Sequence, residues 1–396
     1  MNDHLKIAIV TETYFPQVNG VSRTLDRLVE HLLGQNHRVH LFIPDYGGGV
    51  QAARAGVEVT AFAGWRLPNY PEILLPLVRP ATLKRHLRAA APDIVHVATE
   101  GPLGWAALQA ARGLGIPVVS SYHTNFAQYM ESYRLKSAAG VIWTYLRWFH
   151  NRTSKTFCPT PSIRDILKER KFERVTVWSR GVDSGWFSPR KRSWQLREQL
   201  GFIDDEVVFL YCGRLAAEKN LLMLLEAFYL LDEPKARLLM IGDGPLKDRL
   251  QSECDYRVMF AGYRHGEELA RYYAAADVMT FPSLSETFGN VILEAMASGL
   301  PVIGFDVPGP KDIIQNGKTG EIVTTVSSMA LSGSMKSLFG HAGYRRSLGQ
   351  GARLYAEQQN WSSINRVVSD VYIECLGGED SGAARPNLRK GLQPLF

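Results

Sequence analysis

Five side chains in this sequence could together handle a phosphorylated ligand that carries hydroxyls: Glu286, Glu294, Arg214, Lys219 and His123. The two glutamates stand eight residues apart in Asp277–Gly304, DVMTFPSLSETFGNVILEAMASGLPVIG. This stretch reads as strand (Asp277–Pro282), loop (Ser283–Gly289, carrying Glu286), helix (Asn290–Ser298, carrying Glu294) and strand (Val302–Gly304). Gly299 and Pro301 end the helix. Phe288, Gly289, Asn290 and Val291 offer free backbone N–H groups at the helix start, and Gly289 lets a ligand approach the main chain. Such a terminus attracts anions, phosphate above all. Glu294 lies one turn beyond Asn290 on the same face. It is poorly placed for the phosphate and well placed to accept hydrogen bonds from attached hydroxyls, such as those of a ribose. Glu286 can reach the other end of the same ligand. Taken as an isolated pair, two such glutamates would be ordinary solvated charges at a helix end.

Arg214 and Lys219 sit in GRLAAEKN, directly after an apolar strand Val207–Cys212. They place two cations near where the helix at Asn290 points. Arginine can hold phosphate oxygens bidentately and lysine acts as a point charge, so phosphate binding is preferred over an exposed basic loop. The loop is neither GxxxxGK[ST] nor GxGxxG. His123 lies just past a strand end in SYHTNFAQY, where it could hydrogen-bond a sugar or take part in proton transfer. Gly20 closes the loop ETYFPQVNG and opens a helix, against which an anion or sugar could sit.

The elements that must position these residues alternate. Expected strands at Leu5–Thr11, Arg38–Ile43, Val57–Phe62, Ile94–Val97, Ile116–Tyr122, Phe157–Pro161 and Val175–Trp178 are interleaved with helices such as Val21–Leu33 and Leu103–Leu114. After a polar passage, Ser188–Arg197, the alternation starts again: strands Val207–Cys212, Ala236–Ile241 and Arg257–Ala261, helices Leu221–Leu231 and Glu267–Ala275. A tight turn, Gly242-Asp243-Gly244-Pro245, follows the second of these strands. Strand–helix alternation implies doubly wound parallel sheets that bind ligands beyond the carboxyl ends of their strands. The domains are expected at residues 1–183 and 184–360, with a last amphipathic helix at 361–376 and a disordered tail at 377–396.

At 396 residues, 45% apolar and 21% charged, the chain suits two globular domains. No run of eighteen apolar residues suggests a membrane span, and the first residues carry no secretory pattern. Four scattered cysteines form no CxxC pair, so neither a metal site nor a disulfide framework is expected and a reducing cytoplasm fits. The net charge of +6 permits an anionic partner, and no nucleic-acid motif accompanies it.

GRLxxEKN, GDGP and PSxxETFGxxxxEAMASGxPV, with TETYFPQVNGVS and SYHTN nearer the start, together resemble family 4 of the retaining glycosyltransferases, whose donor signature is E-x7-E. Within that family the chain resembles bacterial GDP-mannose-dependent α-mannosyltransferases and sulfoquinovosyl-diacylglycerol synthases. The resemblance implies a GT-B fold: two Rossmann-like domains facing a cleft, the acceptor on the first and the nucleotide sugar on the second, with the final helix crossing back to the first. By position, Arg214 and Lys219 would bind the donor diphosphate and Glu294 the ribose. Glu286 would contact the transferred sugar, with the Phe288, Gly289 and Asn290 region on sugar or phosphate. His123 would lie near the reacting carbon and Gly20 would help seat the diphosphate. The implied chemistry is hexosyl transfer with retention at a front face and with no metal or other cofactor, most simply mannose from GDP-mannose to a lipid or glycolipid. A UDP-sugar donor is the alternative. A nucleotide-sugar epimerase and an inactive nucleotide-sugar-binding module are more distant ones. Two basic, apolar stretches, Leu74–Arg88 and Gly140–Arg152, could rest on an anionic membrane surface or simply pack on the sheet.

Overall fold

The computed structural model describes residues 4–17, 19–47, 55–67, 70–123 and 136–377. Strands are β1 Lys6–Val10, β2 Arg38–Pro44, β3 Val57–Phe62, β4 Trp65–Leu67, β5 Tyr70–Leu75, β6 Ile94–Val97, β7 Val118–Ser121, β8 Lys155–Cys158 and β9 Val175–Val177, then β10 Val207–Cys212, β11 Ala236–Ile241, β12 Val258–Gly262, β13 Val278–Phe281, β14 Val302–Phe305 and β15 Gly320–Val323. Helices of the first half are α1 Gly20–Gly34, α2 Pro80–Ala90, α3 Pro102–Arg112, α4 Lys136–His150 and α5 Pro161–Glu169. Those of the second are α6 Trp194–Gln199, α7 Leu221–Leu231, α8 Lys247–Ser252, α9 Gly266–Ala275, α10 Asn290–Ala297, α11 Pro310–Ile313, α12 Ser328–Gly340, α13 Ala342–Gln358 and α14 Trp361–Gly377.

Two parallel sheets result, ordered β3-β2-β1-β6-β7-β8-β9 and β12-β11-β10-β13-β14-β15. Strands such as Ile7–Val10 and Val207–Cys212 are buried throughout, as a sheet covered on both faces requires. Strand order reverses between β1 and β6 in one sheet and between β10 and β13 in the other. A crevice opens at such a reversal, beyond the strand ends. The loops after β10 and β13 are those carrying Arg214, Lys219 and Glu286, so the topology places the expected residues at the right edge.

Asp277 anchors the start of β13. Its carboxylate accepts from Val208 N (2.8 Å), Arg192 (2.8 Å) and the fully buried Arg197 (3.2 Å). The last helix, α14, packs on α1: Val368, Val371 and Tyr372 join Leu25, Leu28 and Leu32 in the first domain's core. Asn365 accepts from Trp178 Nε1 (3.1 Å) and donates to Arg27 O (2.9 Å). Inside that seam His96 is hydrogen-bonded on both sides, Nδ1 to Tyr372 Oη and Nε2 to Ser121 Oγ, each at 2.6 Å. The crossing helix is therefore tied to the strand edge that leads to His123.

Several elements differ from the sequence reading. Leu74–Arg88 is two elements, because β5 ends at Leu75 and Pro76 and Pro80 prevent a helix from spanning the gap. Pro80 instead takes the first helical position of α2. Helix α5 was missed, though Thr160 capping Ile163 N (3.3 Å) ahead of Pro161 is a standard start signal. The short strand β15 and the β4–β5 hairpin were missed as well. Glu206, in the acidic turn before β10, is buried and ion-paired with Arg237. The tail 378–396 lies outside the described residues.

Burial holds the pKa of His96 at about 3, below its ordinary 6.5, so the folded state keeps it neutral. Between those values the unfolded chain binds the extra proton, and stability drops as pH falls. The stability difference between wild type and His96→Asn, from denaturant melts, should therefore shrink by up to about 1.4 kcal/mol per pH unit below pH 6.5. A difference independent of pH would contradict this.

Candidate functional site

The site begins with a helix that lacks a cap. No side chain bonds the first turn of α10, whose N-cap is Gly289 at φ +96°. A Cβ there would also meet Ile292 Cδ1 at 3.1 Å and Phe281 Cζ at 3.3 Å, so glycine is required both by conformation and by space. The start of α1 is different: Asn19 Oδ1 accepts from Val21 N (3.0 Å) and Ser22 N (2.9 Å). Of the two helix starts named from the sequence, only that of α10 keeps its donors free of a side-chain cap. The two starts face each other, since a Cβ on Gly20 would lie 3.4 Å from Asn290 Nδ2.

Around α10 stand two ion pairs. Lys219 Nζ meets Glu286 Oε1, so a residue expected on phosphate and one expected on sugar neutralise each other. Arg214 is exposed at the same loop, whose turn is fixed by Tyr211 Oη donating to Arg214 O (2.8 Å). Behind the loop, Gly242 (φ +141°) lies so close that a Cβ would reach Gly213 O at 1.9 Å, which explains a GDGP turn there. The second pair is Arg23 Nη1 with Glu294 Oε1 at 3.3 Å, and Tyr273 Oη donates to Glu294 Oε2 at 2.9 Å. Burial raises the Glu294 pKa, while Arg23 and Tyr273 pull it back. Phe288 is buried and contributes packing beside its amide. Sequence reading did not find Arg23: it lies 271 residues from Glu294 and carries no local signal.

The first domain meets this site directly. His123 follows β7, and its carbonyl accepts from Thr287 Oγ1 at 2.9 Å, within the loop that carries Glu286. Asp312 Oδ1 accepts from Ser162 N at 2.9 Å, a second bond across the cleft. At the β1/β6 reversal, buried Glu12 accepts from Thr99 Oγ1 and from Gly104 N (2.9 Å), and burial lifts its pKa to about 7. Beside it Glu100 pairs with buried His150 at 3.0 Å. Only His123 of the SYHTNFAQY loop's distal part lies among the described residues; 124–135 do not. Among the described residues no group of three His, Cys, Asp or Glu side chains could hold a metal ion. No described helix is long and apolar enough to cross a membrane.

The chain has known relatives. Residues 18–186 match Glycosyltransferase Family 4 and residues 192–355 match Glycosyl transferases group 1. A GDP-mannose-dependent alpha-mannosyltransferase of Mycobacterium tuberculosis is 37% identical over 323 residues, covering 80% of this chain and 83% of the relative. Sulfoquinovosyl transferase SQD2 of Arabidopsis thaliana is 30% identical over 377 residues, 93% of this chain and 73% of that one. Among solved structures, a sucrose-phosphate synthase from Thermosynechococcus elongatus superposes with a TM-score of 0.80 at 22% identity, over 93% of this chain and 98% of that one. That last likeness is one of fold: GT-B, with two Rossmann-like domains. Matched in both halves and aligned with such relatives over most of its length, the chain belongs to family 4 of the glycosyltransferases.

Proposed function

We propose that the chain transfers mannose from GDP-mannose to a hydroxyl of a lipid or glycolipid acceptor, with retention of configuration and without a metal. The observation that carries this reading is the pairing of Lys219 with Glu286 and of Arg23 with Glu294 around the uncapped start of α10. These are charged groups satisfied by each other and available for exchange. An arriving diphosphate would take Lys219, Arg214 and the α10 amides. Glu286 would then be released to the sugar hydroxyls. Glu294, one turn deeper, would accept from the ribose. Cation and helix dipole act most strongly on charge that develops as the nucleotide departs, which is where they lower the barrier. The acceptor's proton passes to the leaving phosphate oxygen. Contacts between His123 and Thr287 and between Ser162 and Asp312 hold the two walls together and keep water from the donor.

The choice of mannose follows the mannosyltransferase relative. A second reading, transfer of glucose or sulfoquinovose from a UDP-sugar to diacylglycerol, is favoured by the sulfoquinovosyl transferase relative. In an assay with each donor, GDP-mannose should give acceptor-dependent release of GDP and an α-linked product by NMR. Lys219→Ala and Glu286→Ala should each lower kcat/KM by about 10²–10³. Epimerisation or hydrolysis without acceptor, or unchanged rates in both variants, would contradict the reading.

For a lipid acceptor the protein would work from the cytoplasmic side, docked peripherally. Much of the aromatic content of Gly140–Arg152 is core, since Trp143 and Phe149 are buried. What supports docking is the exposed remainder: Leu77 (74%), Val141 (70%), Arg79, Arg85, Arg88 and Arg147. Phosphatidylglycerol vesicles should float the protein in a salt-sensitive way, and Arg85→Glu with Arg88→Glu should weaken flotation by about tenfold or more. Equal flotation of the double variant would remove the docking surface.

A further inference from the structure

Arg180 is a buried cation: it is 5% exposed, and among the described residues no carboxylate pairs with it. Its Nη1 donates to Trp178 O (2.6 Å) and Ser179 O (3.0 Å), and its guanidinium lies 5.1 Å from the Trp178 ring centroid. Its Nη2 stands 2.8 Å from His123 Nδ1. A guanidinium can only donate, so Nδ1 must accept. The imidazole proton then belongs on Nε2. That atom is buried and has no hydrogen-bond partner among the described residues. The ring is 7% exposed, T-shaped against Trp178 at 5.7 Å, and its own carbonyl is bonded to the Glu286 loop.

We infer that Arg180 is a positioning residue that locks His123 in its neutral Nε2–H tautomer, so that His123 serves as a hydrogen-bond donor to an oxygen of the transferred sugar and not as a proton acceptor. A second proton on His123 would have to enter at Nδ1, facing a donor that cannot withdraw. Among the described residues, the other titratable groups facing the ring are His96 and His150, and with Arg180 they all oppose further positive charge. Burial, first, and then Arg180 hold His123 well below its ordinary 6.5. Burial brings Arg180 itself down to about 10, which leaves it cationic at neutral pH. A buried N–H left without a partner is costly, and a sugar oxygen placed against Nε2 would recover that cost when substrate is bound. This inference rests on the transferase reading for the identity of the ligand, but the tautomer can be read without any turnover.

Long-range ¹H–¹⁵N spectra of the full chain labelled at its ten histidines should show it, with His123→Gln used for assignment. Expected is an Nε2–H pattern that stays unchanged from pH 5.5 to 8, and an Nε2 shift that moves when GDP-mannose is added. In Arg180→Met the same signals should become a titrating tautomer mixture, with kcat down about tenfold or more and donor KM altered less. Arg180→Lys should restore part of both. An Nδ1–H pattern, or a His123 that titrates near 6.5 in the wild type, would overturn the inference even if Arg180→Met fails to fold. A locked tautomer in a protein without transferase activity would leave the inference on Arg180 standing and remove only the sugar as its ligand.

Discussion

The amino end of α10 holds backbone donors that no side chain caps among the described residues. Left alone in a cleft they form a concentrated partial positive charge, and the surrounding residues are arranged in response to it. Glu286 and Glu294 come close to this end, and each is balanced by a cation, Lys219 or Arg23. The outcome is a site whose charges are satisfied by each other, and under the proposed reading they would be given up to a diphosphate joined to hydroxyls. Neither pair need contribute to stability for this to work: ion pairs of intermediate exposure add little net energy to the fold.

Because Arg23 comes from α1 and Glu294 from α10, this ion pair couples the two domains, and the proposed exchange would make that coupling depend on the donor. Thr287 to the His123 carbonyl and Ser162 to Asp312 repeat that coupling on neutral and charged bonds elsewhere along the cleft. The crossing helix α14 closes the loop of constraints from the far side, through Asn365 to Trp178 and Tyr372 to His96. Two residues along the chain from Trp178 stands Arg180, and two residues from Ser121 stands His123. The strand ends that carry His123 and Arg180 are thus the ones the crossing helix braces.

The sequence disclosed the parts of this site that lie close together in the chain. Glu286, Gly289 and Glu294 fall on one loop and one helix, and Lys219 follows a strand whose apolar run is unmistakable. Hydrophobic alternation also gave both sheets, since β1, β6, β10 and β13 are buried on both faces. What stayed hidden was set by distance in sequence. Arg23 looked like any cation on an amphipathic helix until α10 was placed opposite it. Arg180 looked like a polar residue near a domain boundary, and only the folded chain shows it buried against His123. The burial of Glu206 is hidden for the same reason, because Arg237 meets it from a neighbouring strand. Short elements such as β15 and α5 carry too few residues for periodicity to register.

Crystals grown with GDP-mannose or GDP put the account to its most direct test. The diphosphate should lie against the amides that open α10, with Lys219 turned from Glu286 onto phosphate oxygens and the ribose hydroxyls on Glu294. A nucleotide bound elsewhere, with the Lys219–Glu286 pair intact and the start of α10 empty, would contradict it.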